Sequence, residues 1–166
     1  MIGANDKVIL DACCGGRCFW FDKKEPHTLF IDNRVREMGH DNHRKNHCIK
    51  PDLVADFRKM PFEDKRFKMV VFDPPHIIGK PDAYRMLKKY GWLNKETWET
   101  DIKLGFDECM RVLDDYGVLI FKWNETSIKR KKILEVIGKD VLFGHNTRSK
   151  NKTHWFCFMK FPEGDF

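Results

Sequence analysis

Apolar positions along the chain fall into two alternating patterns. Five short runs, Val8–Leu10, Thr28–Ile31, Leu53–Ala55, Met69–Phe72 and Gly117–Phe121, are continuous instead of alternating with polar residues. That pattern suits strands buried on both faces of a parallel sheet. Between the fourth and fifth runs, Trp98, Ile102, Phe106, Cys109 and Leu113 recur every three or four residues, which predicts a helix from about Lys95 to Leu113 with Asn94 as its N-cap. Ile128, Ile133, Leu134 and Ile137 predict a second helix over Ser127–Ile137, stopped by Gly138. Val141–Phe143 and the aromatic-rich His154–Lys160 read as two closing strands. Lys23–Pro26, His40–Lys50 and Ile77–Leu93 read as loops. Alternating strands and helices predict a doubly wound α/β domain. The chain has 166 residues, no internal repeat and no linker, so residues 1–166 are expected to form a single domain.

Composition narrows the class. With 42% apolar and 34% charged residues, a disordered chain, a collagen and a coiled coil are excluded. No run approaches the ~18 apolar residues of a membrane span. The start, Met-Ile-Gly-Ala-Asn-Asp-Lys, lacks a basic segment followed by an apolar one, so a cytoplasmic protein that meets no membrane is expected. Cys13 and Cys14 are adjacent, and Cys109 and Cys157 fall in predicted elements, which favours reduced thiols over a disulfide scaffold. No metal site is expected. Cys13, Cys14 and Cys18 lack paired C-x-x-C spacing, and the loop holding His40, His43, His47 and Cys48 also carries Arg44 and Lys45. The net charge of +6 is unevenly placed, with ten Lys/Arg against three Asp/Glu from Lys122 to Lys160. Such a bias marks either a solvated face or a surface for phosphates and nucleic acid.

Candidate chemistry gathers at the ends of the predicted strands, where open α/β sheets bind ligands. Four successive runs end in an acid: Asp11, Asp32, Asp56 and Asp73. After the first comes Asp11-Ala-Cys-Cys-Gly15-Gly16, a turn whose glycines let backbone approach a ligand. It is neither G-x-G-x-x-G nor a P-loop, which disfavours a dinucleotide or a bound triphosphate. Asp32 lies 17 residues beyond Gly15, where a carboxylate accepts from two ribose hydroxyls. Together they suggest a ribose-bearing cofactor without a pyrophosphate. Asp73-Pro74-Pro75-His76 is the sharpest motif. Its prolines fix the backbone and offer carbonyls without competing N–H groups. A carboxylate and a rigid carbonyl side by side can accept both hydrogens of an exocyclic amine, and the ring at position 76 can stack on a planar substrate.

Asp11-x-x-x-Gly15, Asp32, Asp56 and Asp73-Pro74-Pro75-His76, in this order, resemble class I S-adenosylmethionine-dependent methyltransferases. The last motif is similar to the Asp-Pro-Pro-Tyr of amino-methyltransferases acting on adenine N6 and similar nitrogens. Phe121-Lys-Trp-Asn-Glu125 and Thr153-His-Trp155 resemble small methyltransferase-like proteins of phages and mobile elements. The resemblance implies a Rossmann-like sheet, mostly parallel with an antiparallel C-terminal strand, and S-adenosyl-L-methionine as cofactor. It implies cofactor contacts at Asp11, Ala12, Gly15, Gly16, Asp32, Asn33, Asp56 and Phe57. Catalytic roles fall to Asp73, Pro74 and His76. His76 departs from the Tyr, Phe or Trp usual at its position.

The implied reaction is N-methylation of a nucleobase amine in DNA or RNA, with a duplex base flipped out to reach the pocket. Pro75, Tyr84, Tyr90, Trp92 and Lys122 are the expected substrate contacts. The loop that supplies three of them mixes cations with aromatics, a combination suited to phosphate contact and base stacking. The chain has no room for a separate target-recognition domain beyond the Ile77–Leu93 loop and the basic C-terminal third, which leaves single-stranded nucleic acid, RNA, a free nucleotide or a small amine as acceptors, or a partner subunit that supplies recognition. Two other readings remain open at this point: a small-molecule N-methyltransferase, and a non-catalytic module with the cofactor fold that binds nucleic acid or a partner.

Overall fold

The protein is described by a computed structural model that covers residues 6–39, 46–79, 90–144 and 152–165. Seven strands form one sheet: β1 (Ile9–Asp11), β2 (Thr28–Asp32), β3 (Leu53–Val54), β4 (Phe67–Phe72), β5 (Leu113–Asn124), β6 (Phe143–Gly144) and β7 (Thr153–Met159). The spatial order is β3-β2-β1-β4-β5-β7-β6. The first five strands pair in parallel, and β7 lies antiparallel between β5 and β6. The mostly parallel sheet with an antiparallel strand near the C-terminus is as expected.

Register explains which side chains face which layer. Leu29, Leu10, Val70, Leu119 and Phe158 form one row across five strands. This row shares a buried cluster with Trp98, Ile102, Phe106 and Cys109 of helix α1 (Trp98–Val112) and with Ile133 and Ile137 of helix α2 (Arg130–Ile137). The neighbouring row, Phe30–Asp11–Val71–Ile120–Cys157, points to the other face. There the connection from β1 to β2 is a chain of turns with no helix. Its Trp20 meets Phe30 edge-on at 5.1 Å, and the Arg17 guanidinium lies 3.8 Å from the centre of the Phe30 ring. Two aromatic and cationic side chains thus cover a surface that a helix covers elsewhere.

Several boundaries differ from the sequence expectation. Leu53 and Val54 belong to a two-residue edge strand and are exposed, so this run is not buried on both faces. Helix α1 begins after Thr97, not Asn94. Asn94 instead turns the chain, its side chain accepting from the Glu96 amide and its carbonyl from the Trp98 amide. Leu113 leaves helical geometry and opens β5, which runs well past the predicted span on both sides. Helix α2 starts at Arg130, not Ser127, because the Glu125 carboxylate accepts from the Arg130 amide while the Ile128 carbonyl is taken by the Trp123 indole. Gly138 ends it in the left-handed conformation, as expected.

Candidate active site

The carboxyl ends of β1, β2 and β4 lie side by side, and the four acidic residues at the strand ends share one feature. Each already holds a donor from the protein. Asp11, fully buried, accepts from the Trp20 indole at 2.7 Å and from the Cys13 amide at 3.2 Å. Asp32, 1% exposed, accepts from the Gly15 amide at 2.9 Å and from the Arg34 amide, Nε and Nη2 at 2.8–3.0 Å. Asp56 takes the same contacts from Arg58, which also reaches Asp101. Asp73 Oδ2 accepts from Lys122 Nζ at 2.6 Å. Carboxylates held this far from water need such partners to remain charged.

Burial dominates the titration of Asp11 and Asp73. It pushes Asp11 up to about 7, against the pull of Trp20 and Cys13, with Asp73 and Asp32 adding like charge. Asp73 is also raised by burial, while Lys122 offsets part of that rise. His76 goes the other way. Burial first, then the Lys122 charge, lower it to about 4, although its ring bonds the Pro74 backbone, so at neutral pH it is an uncharged imidazole. The ring lies 6.4 Å from Trp123, edge-on, and 6.5 Å from Tyr90.

Three cavities follow the strand ends. One of about 330 Å³ is lined by Asn33, Arg34, Phe57, Arg58, Pro75 and Trp92, together with the start of α1. A second of about 190 Å³ is lined by Cys13, Gly15, Gly16, Phe19, Arg34, Asp73, Tyr90 and Lys122. A third of about 250 Å³ is lined by Asp73, Pro74, His76, Tyr90, Lys122, Asn124 and Thr153. Cys13 and Arg34 are common to the first two. Asp73, Tyr90 and Lys122 are common to the last two.

The expected site residues are therefore divided. Gly15, Gly16, Asn33, Phe57, Asp73, Pro74, Pro75, His76, Tyr90, Trp92 and Lys122 line this string of cavities. Asp11, Ala12, Asp32 and Asp56 are absent from the cavity walls; Asp11, Ala12 and Asp32 are buried, whereas Asp56 is partly exposed. Tyr84 lies outside the described residues, as do His40 and His43. Among the described residues, no group of His, Cys, Asp and Glu is arranged to hold a metal ion. No helix among them is long and apolar enough to cross a membrane.

Local backbone explains the shape. Gly15 has φ +48°, and a Cβ on Gly16 would stand 2.6 Å from His47 Nε2, so the turn admits only bare backbone. Gly91, at φ +81°, brings the segment before α1 over the site; a Cβ there would fall 3.0 Å from Pro75 and 3.1 Å from Arg34 Nη1. That segment is tied down by Leu93, whose amide donates to the Ile77 carbonyl and whose carbonyl accepts from Gly79. Arg34 and Arg58 had a sequence signal that went unread: Asp32-Asn-Arg34 and Asp56-Phe-Arg58 repeat one Asp-x-Arg pattern at consecutive strand ends.

Comparison with solved structures places this architecture. A SAM-dependent methyltransferase from Methanosarcina mazei aligns with 98% of this chain and 96% of its own, at 11% identity and a TM-score of 0.57. A Pyrococcus horikoshii protein aligns with 93% of this chain and 81% of its own, at 16% identity and 0.56. The N-methyltransferase NodS of Bradyrhizobium japonicum aligns with 93% of this chain and 84% of its own, at 12% identity and 0.51. The chain has a methyltransferase fold. No protein-family model and no curated protein matches the sequence.

Proposed function

We propose that the protein is an S-adenosylmethionine-dependent methyltransferase that methylates an exocyclic amine of a nucleobase in DNA or RNA. The observation that carries this reading is the meeting of two cavities at Asp73. One side holds the glycine turn, the other holds Pro74 and His76. A methyl donor and an amine acceptor must approach from opposite sides of a single point, and Asp73 stands at that point.

The residues present fit the cofactor. Phe57 and Asn33 line the larger cavity, which suits the adenine end. The bare Gly15–Gly16 backbone lines the cavity beside Asp73, which suits the methionine end. When bound, S-adenosylmethionine supplies a methyl group already activated by its sulfonium. The protein then has to orient the acceptor and exclude water.

Asp73 Oδ2 is held by Lys122, while Oδ1 has no hydrogen-bond partner among the described residues. Oδ1 and the Pro74 carbonyl are the acceptors for the two N–H bonds of an incoming amine. Holding both hydrogens turns the nitrogen lone pair away from the aromatic ring and toward the donor side. Positive charge developing on that nitrogen is stabilised by the carboxylate, and Oδ1 takes the proton the methylated amine gives up. The Lys122 ammonium offsets part of the rise that burial imposes on Asp73 and so favours the ionised form this role requires. Neutral His76 offers a ring face to a planar acceptor without adding a cation beside it.

The test is transfer of labelled methyl to single-stranded DNA, RNA, nucleosides and small amines, at two salt concentrations. Transfer to a polymer that weakens steeply with salt supports the nucleic-acid reading. Transfer confined to nucleosides or small amines overturns it.

A further inference from the structure

The cavity that fits the nucleoside end and the cavity that fits the methionine end share two lining residues, Cys13 and Arg34. Arg34 lines both, and its guanidinium forks onto both oxygens of Asp32. With the Gly15 and Arg34 amides added, Asp32 accepts four hydrogen bonds and is nearly sealed from water. A carboxylate has about four lone-pair positions, so none is left for a ribose hydroxyl. The Gly91 backbone packs on the outer side of the guanidinium and leaves the Arg34 side chain 17% exposed.

We propose that Arg34 is a specificity-determining gate of the cofactor site: it occupies the ribose position on Asp32, and cofactor binding requires its displacement. The inference rests on the cofactor reading above. Its chemistry is exchange between like partners. The guanidinium gives up its charge-assisted bonds to Asp32, ribose hydroxyls take the vacated oxygens, and the displaced cation is rehydrated through its exposed edge. A ligand without vicinal hydroxyls has nothing to offer Asp32 and leaves the gate shut. The gate thus selects ribonucleoside ligands because only ligands whose hydroxyls bond the vacated Asp32 oxygens offset the free energy of opening. If the open state is about one tenth populated, apparent affinity is about tenfold below the intrinsic value. The Asp32-x-Arg34 spacing builds this contact locally, because the same turn that bonds the Arg34 amide to Oδ1 returns the side chain over the carboxylate. Arg58 repeats the geometry on Asp56, but that pair is more exposed and Asp56 does not line the cavity.

The test is calorimetric titration of S-adenosylhomocysteine into the parent protein and Arg34→Gln. The expected result is binding about tenfold tighter in Arg34→Gln, together with a lower melting temperature of the free protein and a larger rise on ligand addition. Equal or weaker binding in a folded Arg34→Gln, with the parent binding normally, overturns the gate. Should Arg34→Gln fail to fold, Arg34→Lys, which keeps the charge but loses the fork, takes its place; tighter binding than the parent supports the gate and equal or weaker binding overturns it. Absence of binding by parent and variants alike overturns the cofactor reading, and the gate with it.

Discussion

Replacing Lys122 with Met removes the cation 2.6 Å from Asp73 Oδ2 and leaves a chain of similar length. Both side chains are mostly buried, at 23% and 19% exposed. At an effective dielectric of about 20, the pair's gross attraction is roughly 6 kcal/mol. Most of that is offset by desolvation, and what is left holds Asp73 down against burial, so losing the cation raises its pKa further. The starting value is already above the ordinary carboxylate range because of burial. The sign follows: Asp73 must be ionised to accept an amine proton, so activity is present above its pKa and lost as pH falls through it. In Lys122→Met that loss moves to higher pH. Labelled methyl transfer measured from pH 5 to pH 10 should fall at least about tenfold at pH 6 and recover to within about threefold of the parent at pH 9. Burial, the larger cause, still holds His76 low without Lys122, and Asp11, near 7 in the parent, titrates in both proteins. A loss of equal size at every pH would refute the reasoning and assign Lys122 to acceptor binding alone.

Two further outcomes follow from packing and burial. In Gly105→Ala, the new Cβ would lie 2.5 Å from Phe57 Cδ2 and 2.9 Å from Phe72 Cζ; overpacking of about 1–3 kcal/mol exceeds the helix-propensity gain of about 1 kcal/mol, so the melting temperature should drop and S-adenosylhomocysteine should bind more weakly as Phe57 is pushed into its cavity, and an unchanged midpoint with unchanged affinity would contradict this packing. Asp11, raised from 3.8 to about 7, binds a proton in the folded state that the unfolded chain releases, so its contribution to stability should fall as pH rises from about 4 to about 7 and level off above that. Denaturant titrations of parent and Asp11→Asn check this: the variant's stability relative to the parent should increase across that window, and a constant difference would contradict it.

How much of this was legible in the sequence varies with the kind of interaction. The parallel strands and α1 could be read because burial imposes continuous apolar runs on the one and a three-to-four spacing on the other. Their ends were less legible. Asn94 and Ser127 look like helix starts, yet the first is used to turn the chain, and the second accepts from the Ile78 amide while Glu125 caps α2 from outside. The missing helix between β1 and β2 gave no periodic signal, since Trp20 and Arg17 do the covering through a ring contact, a cation–ring contact and a bond to Asp11. In the candidate site, the row of strand-end acids and the Asp-Pro-Pro-His motif were visible as spacing. What spacing could not convey is occupancy. That Asp32, Asp56 and Asp73 each carry a cation depends on side-chain paths, and for Lys122 on pairing between strands 49 residues apart. Gly105 carried a signal that went unread: a glycine in mid-helix is unfavourable unless something needs the space, and here Phe57 does.

The central claim is that Asp73 is the point at which methyl donor and amine acceptor meet. Its most direct measurement is single-turnover transfer of labelled methyl from S-adenosylmethionine to single-stranded DNA and RNA by the parent protein and Asp73→Asn, with S-adenosylhomocysteine affinity measured on both. The account predicts an N-methylated base from the parent, a rate about 100-fold lower or worse in Asp73→Asn, and cofactor affinity within a few-fold in both. A parent that binds S-adenosylmethionine but methylates no amine, or an Asp73→Asn variant that transfers methyl as fast as the parent, would contradict it.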